Sequence, residues 1–206
     1  MFTGLIRAVG TVVECSKSAG EMDFGVDLGL REGPWPVGAS IALSGVCCTV
    51  VRSRGEVAWF HLSAETLRRT WLGEAAVGAR LNIEPALRAG DALGGHMVQG
   101  HVDGVGRITA PIDPTGGGEL WVEVPDGLRR YCVEKGSITV DGVSLTIAAL
   151  DGPRIMIAII PHTAQVTTLG PARVGAAVNL EVDVIGKYVE RFLEARFGAA
   201  ASPPVD

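Results

Sequence analysis

The sequence predicts an all-β chain in which one small antiparallel barrel occurs twice in tandem, with a helix after the second copy. Three observations carry this. The chain holds 28 glycines against 11 prolines, with Val and Ile prominent, a balance that favours short strands joined by tight turns. Residues 40–50 (SIALSGVCCTV) return as residues 137–147 (SITVDGVSLTI), 97 positions later. Short apolar runs alternate with turn signals such as Gly33-Pro34, Arg54-Gly55, Pro125-Asp126-Gly127 and Asp151-Gly152-Pro153. With 206 residues, 47% of them hydrophobic and 20% charged, the chain can bury roughly 70% of its unfolded surface and is globular.

The repeat continues without a gap. Thr66, Thr70, Leu72 and Gly73 match Thr163, Thr167, Leu169 and Gly170, and Asn82 and Glu84 match Asn179 and Glu181, all at the same spacing. Met1, Gly4, Val9 and Gly10 match Met97, Gly100, Val105 and Gly106 at a spacing of 96, so one residue was gained or lost in between. Such a period exceeds the roughly 20–50 residues of a solenoid unit and is the size of a small domain. We expect a first barrel over residues 1–96, a second over 97–186, and a C-terminal helix and tail over 187–206.

Within the repeated strand the phase is informative. Val46, Cys48 and Val50 share one face and Cys47 and Thr49 the other; Val143, Leu145 and Ile147 repeat the apolar face, Ser144 and Thr146 the small polar one. A solvated outer face is the ordinary explanation for one such strand. Its recurrence in the second copy weakens that explanation and points to paired small-molecule sites.

Helices are expected over residues 63–69, with Ser63 as N-cap, and over 162–166, just after Pro161. A longer one over 187–197 puts Val189, Phe192, Leu193 and the stem of Arg196 on one side. It has no counterpart in the first copy. A helix of about a dozen residues is marginal alone, so this stripe must pack on the barrels or on another subunit. The tail after Gly198 is expected to fray.

A net charge of −5 and a pI near 5.4 exclude a phosphate backbone as partner, because binding one needs clustered cations. Met1 to Arg7 shows no basic stretch leading into an apolar run, so a cytoplasmic protein off the membrane is expected. Cys47 and Cys48 are adjacent and Cys15 and Cys132 distant, a spacing that predicts reduced thiols and no metal site. His96 and His101, five apart, fall on opposite faces of a regular strand, which argues against a shared metal. His61, within Trp59-Phe60-His61-Leu62, reads as an ordinary strand residue. No phosphate loop, H-E-x-x-H or G-x-S-x-G motif occurs.

Further motifs carry a family resemblance. Met1-Phe2-Thr3-Gly4, residues 94–104 (GGHMVQGHVDG), residues 135–146 (KGSITVDGVSLT) and Ile160-Pro161-His162-Thr163 together resemble riboflavin synthase of the alpha-chain type, over about residues 1–197. The resemblance implies two similar six-stranded barrels of the lumazine-binding type and a C-terminal helix that assembles a homotrimer. It implies dismutation of 6,7-dimethyl-8-ribityllumazine, one molecule passing a four-carbon unit to another to give riboflavin and 5-amino-6-ribitylaminopyrimidinedione, without metal or organic cofactor. It also makes lumazine synthase a candidate partner.

Carried over residue by residue, the family's lumazine contacts fall on Gly4, Leu5, Ile6, Cys47, Cys48, Thr49, Glu65 and Thr66 in the first copy. In the second they fall on Gly100, His101, Val102, Lys135, Ser144, Leu145, Thr146, Ile160, Pro161, His162 and Thr163. Reaction-centre groups map to Ser40, Cys47, His101, Asp141, Ser144 and Asp183, with His101 or a pair of Ser144 and Asp141 as candidate acid and base. Ser44, Cys48 and Trp71 depart from the family's usual Asn, Leu and Asn. A non-catalytic lumazine or flavin carrier on the same duplicated barrel would be expected to lose the polar residues of one copy, and both copies keep them. A purely structural pair of barrels is the third reading. The short link over residues 88–96 makes it hard for the two pockets of one chain to face each other, so sites shared between subunits are expected.

Overall fold

The structure, a computed structural model describing residues 1–198, contains two closed antiparallel barrels of six strands each. The first is built from β1 (Ala8–Ser18), β2 (Glu21–Asp27), β3 (Ser40–Leu43), β4 (Val46–Arg54), β5 (Val57–Leu62) and β6 (Arg80–Pro85), with α1 (Ala64–Arg69) and a 3₁₀ turn (Trp71–Glu74) between the last two strands. The second uses β7 (Gly104–Ala110), β8 (Gly118–Glu123), α2 (Asp126–Arg129), β9 (Ser137–Val140), β10 (Val143–Asp151), β11 (Arg154–Ile159), α3 (Pro161–Val166) and β12 (Ala177–Val182), and α4 (Val184–Phe197) follows. Around each barrel the strands close in the same cyclic order, β1-β2-β5-β4-β3-β6 and β7-β8-β11-β10-β9-β12.

The alternation read from the sequence decides which side chains fill each barrel. Val46, Cys48 and Val50 point inward among Phe24, Phe60 and Leu81; Val143 and Ile147 do the same among Ile157 and Leu180. Cys48 therefore stands as a core residue, and burial pushes its thiol pKa up. Register shifts repeat with the sequence: Val12/Glu14 in β1 corresponds to Ile108/Ala110 in β7, and Val50/Arg52 in β4 to Ile147/Ala149 in β10. Each bulge bends and twists its strand enough for six strands to close.

Local signals at the helix starts agree with the sequence. The Ser63 hydroxyl accepts the Thr66 N–H, and Pro161 is the first residue of α3. Helix α4 begins three residues before the expected Lys187, because Asp183 caps it by accepting the Ile185 N–H at 3.0 Å. The weak helix formers Val184, Ile185 and Gly186 hid that turn. Helix α2 stands where the sequence read only as a turn, with Leu128 packed against the second core and Arg129 paired with Asp126. The expected frayed tail, residues 199–206, lies outside the described residues. The four cysteines are free, and no described helix is long and apolar enough to cross a membrane.

A two-fold-like junction joins the barrels. Asn82 donates its side-chain amide to the Asp141 carbonyl at 2.9 Å, and Asn179 returns the bond to the Ser44 carbonyl at 2.9 Å. The Asn oxygens accept backbone N–H groups of Thr168 and Trp71 at 2.8 and 3.0 Å. The turns holding Ser44 and Asp141, both at positive φ, place Gly45 and Gly142 face to face. A β-carbon on Gly45 would lie 2.7 Å from the Gly142 nitrogen, so this contact admits only glycine.

Candidate functional site

The N-terminal segments of the two repeats exchange partners. Phe2 and Val98 pair as a short antiparallel bridge, with N–H to O distances of 2.7 and 3.2 Å. Beyond the bridge each segment crosses to the other copy's repeated strand. The Gly4 carbonyl accepts the Ser144 N–H of β10 at 2.8 Å, and the Gly100 carbonyl accepts the Cys47 N–H of β4 at 2.8 Å. Ile6 packs on the second core and Val102 on the first. A β-carbon on Gly4 would fall 2.5 Å from Ser144 Cβ, and one on Gly100 2.7 Å from Cys47 Cβ.

Two buried carboxylates hold these crossings. Glu84 accepts the N–H groups of Thr3 and Gly4 at 2.7 and 2.9 Å, and Glu181 those of Gln99, Gly100 and His101 at 2.8, 2.9 and 3.1 Å. Burial raises the pKa of both, and the N–H donors work against that rise.

The exchange regroups the residues expected at each pocket. Gly4, Leu5 and Ile6, assigned from sequence to the first copy, close over Ser144 in β10; Gly100, His101 and Val102, assigned to the second, close over Cys47 in β4. The first-copy set becomes Cys47, Thr49, Glu65, Thr66, Gly100, His101 and Val102. Cys48 is its neighbour in sequence but turns into the barrel core. Thr49 and His101 are exposed, and Glu65 is held by Arg68 and Arg69, which keep its carboxyl pKa low.

The second-copy set becomes Leu5, Ile6, Lys135, Ser144, Leu145, Thr146 and residues 160–163. Leu145 is half-buried, Ile160, Pro161 and His162 are exposed, and Lys135 adopts a positive φ of 65° with its N–H on the Ile147 carbonyl. A cavity of about 450 Å³ opens beside Leu5, bounded by Thr3, Arg7, Glu84 and Arg88.

His96 was not singled out by the sequence as a site residue. Its Nδ1 lies 2.7 Å from the Ser144 hydroxyl, and burial lowers its pKa against a smaller opposing pull from Asp183. The neutral ring can accept the Ser144 proton. No spacing rule could have found this pair, since the residues lie 48 apart.

The other expected reaction-centre groups are dispersed. Asp141 is 4% exposed at the barrel junction, where one carboxylate oxygen accepts the Asn179 N–H and the Trp71 indole N–H, both at 2.8 Å. Burial pushes its pKa up to about 7 against those two donors. It makes no hydrogen bond to Ser144, so the two do not form a pair. Ser44 serves the equivalent position in the first copy, its hydroxyl accepting the Asn82 N–H at 3.1 Å. The departures at Ser44 and Trp71 thus both fall at the junction. Ser40 lies on β3 opposite Thr49, and Asp183 caps α4. Among the described residues no group of three or more His, Cys, Asp or Glu side chains is placed to hold a metal.

Chemically, each composite surface offers backbone groups and small hydroxyl or thiol groups beside apolar walls, the provision a flat heteroaromatic ring with a polyol chain requires. The chain matches the family model described as the lumazine binding domain twice, over residues 3–86 and 99–183. It is 42% identical to a protein named riboflavin synthase from Mycobacterium bovis, covering 95% of this chain and 99% of that one. A protein of the same name from Photobacterium phosphoreum is 39% identical (94% and 89% covered), and one from Bacillus subtilis 37% (94% and 90%). A crystal structure of LumP complexed with riboflavin superposes with a TM-score of 0.79 at 25% identity, over 89% of this chain and 100% of that one.

Proposed function

The chain belongs to the riboflavin synthases, transferases built on the duplicated lumazine-binding domain, and from that premise we propose that it dismutates two molecules of 6,7-dimethyl-8-ribityllumazine. One loses a four-carbon unit and leaves as 5-amino-6-ribitylaminopyrimidinedione; the other gains the unit and becomes riboflavin. The observation that carries this reading is the exchange itself. It leaves two surfaces of one backbone design with different chemistry: Cys47, His101 and Glu65 on one, Ser144, Leu5 and His162 on the other. Two identical substrates with opposite roles need that difference. The riboflavin bound in the LumP structure that shares this fold, with the two lumazine-binding-domain matches, supports the ligand class.

In this reading a copy-one surface of one chain faces a copy-two surface of another, and α4 assembles a trimer. Along α4 a groove of about 790 Å³ is lined by Tyr131, Val133, Ile185, Val189, Leu193 and Phe197, and Phe192 and Phe197 are 72% and 74% exposed. Holding two rings in register can supply on the order of 7–11 kcal/mol of barrier reduction.

Incubation of the purified protein with the lumazine should yield riboflavin, followed by absorbance, with one pyrimidinedione formed per riboflavin. Binding without turnover would establish a carrier instead, and neither binding nor turnover a structural pair of barrels. Truncation after Gly186 should leave monomers by sedimentation; an intact trimer would remove α4 from the assembly.

A further inference from the structure

Residues 100–103, which close the copy-one surface, are fastened in a way their counterpart is not. Both crossing segments rest on a buried glutamate, but among the described residues only this one is tied to α4 by an ion pair. Asp103 accepts the Val182 N–H through Oδ2 at 2.9 Å and meets Lys187 Nζ through Oδ1 at 2.7 Å. The two side chains are 20% and 28% exposed, so water screens them poorly. The Asp103 charge also acts on Arg69 of α1, the helix that carries Glu65 and Thr66, and both Asp103 and Lys187 act on Glu181.

Among the described residues, no ion pair ties residues 4–7 to a helix in this way. Arg7 stands at the position of Asp103 and pairs with Glu32 at 3.3 Å, with side chains 60% and 48% exposed. The position matching Lys187 is Gly90, in the link between the copies. The asymmetry therefore lies between the two ligand surfaces and not merely between two turns.

We infer that Lys187 is a positioning residue: through Asp103 it holds His101 and Val102 against β4, so that the seating of α4 sets the crossing segment of the copy-one site, a tie that residues 4–6 of the copy-two site lack. Its ligand consequences rest on the function proposed above; its structural content does not. Since α4 is also the element proposed to assemble the chains, the copy-one site would be completed when the helix is seated.

The test compares Lys187→Met, Asp103→Asn and Lys187→Arg in the full chain, with Arg7→Gln as control. Asp103→Asn keeps an oxygen for the Val182 N–H and removes only the charge, so it decides the matter should Lys187→Met fold poorly. Amide hydrogen exchange at residues 100–102 should quicken about fivefold in Lys187→Met and Asp103→Asn, a loss on the scale of one partly screened ion pair. Residues 4–6 should be unchanged, and Lys187→Arg should stay near the parent. Riboflavin titration should show one of two binding steps weakened by a similar factor, and lumazine KM should rise more than kcat falls. Unchanged exchange at residues 100–102, or equal quickening at 4–6, would overturn the inference. Failure of the parent protein to bind riboflavin or convert lumazine would instead defeat the functional reading, while the exchange result would still decide the tether.

Discussion

Replacing Asp141 by Asn should stabilise the protein at alkaline pH and do progressively less as the pH falls. The native carboxyl is buried at the barrel junction, its pKa pushed from 3.8 up to about 7. Because the folded value is the higher one, the native state holds a proton that the unfolded chain releases, and stability falls as pH rises from near 4 through about 7. The raised value corresponds to about 4 kcal/mol at pH 8, of which less than half is already present at pH 5. Asn does not titrate, and its amide oxygen can keep the Asn179 and Trp71 donors. The stability gap between Asp141→Asn and the parent should therefore widen by about 2–3 kcal/mol between pH 5 and pH 8. Urea unfolding at a series of pH values, followed by both tryptophan fluorescence and far-UV dichroism, measures it. A gap that is flat or shrinks with rising pH would refute the reasoning. Trp71→Phe should steepen the parent's own pH dependence, because it removes a donor that favours the charged carboxylate.

Further outcomes follow from other contacts. Gly4→Ala and Gly100→Ala each force a β-carbon against the opposite copy at a φ of 77°; each should cost about 2–3 kcal/mol, and a melting temperature unchanged within a degree would contradict the tight crossings. By NMR, the His96 ring should titrate below the ordinary 6.5 and the His61 ring, held by Asp23 and Glu21, above it; the reverse order would dispose of both assignments. A fragment ending at Arg88 should fold, since its main core draws only Val102 from the second copy and the small cluster of Phe2 and Ala42 only Val98. It should bind riboflavin more weakly than the full chain for want of residues 100–102, and equal affinity in calorimetry would show that the crossing segment does not build the site.

The sequence alone determined what depends on neighbours along the chain. Duplication shows in matched residues, strand phase in the alternation of Val46, Cys48 and Val50, and the helix starts in Ser63 and Pro161. Each is a local rule of period two, of capping or of a locked φ, and each survives whatever else the chain does. Tertiary structure decided which copy each N-terminal segment serves, that Ser144 meets His96, and that Asp141 belongs to the junction with Trp71. Gly4 and Gly100 fit either repeated strand equally well by pattern, because the copies are alike. Which strand each one covers is settled by the course of the chain past the Phe2–Val98 bridge and by the Asn82 and Asn179 bonds that set one barrel against the other. Those contacts join residues 48 to 135 positions apart, and their energy exists only once both barrels have closed.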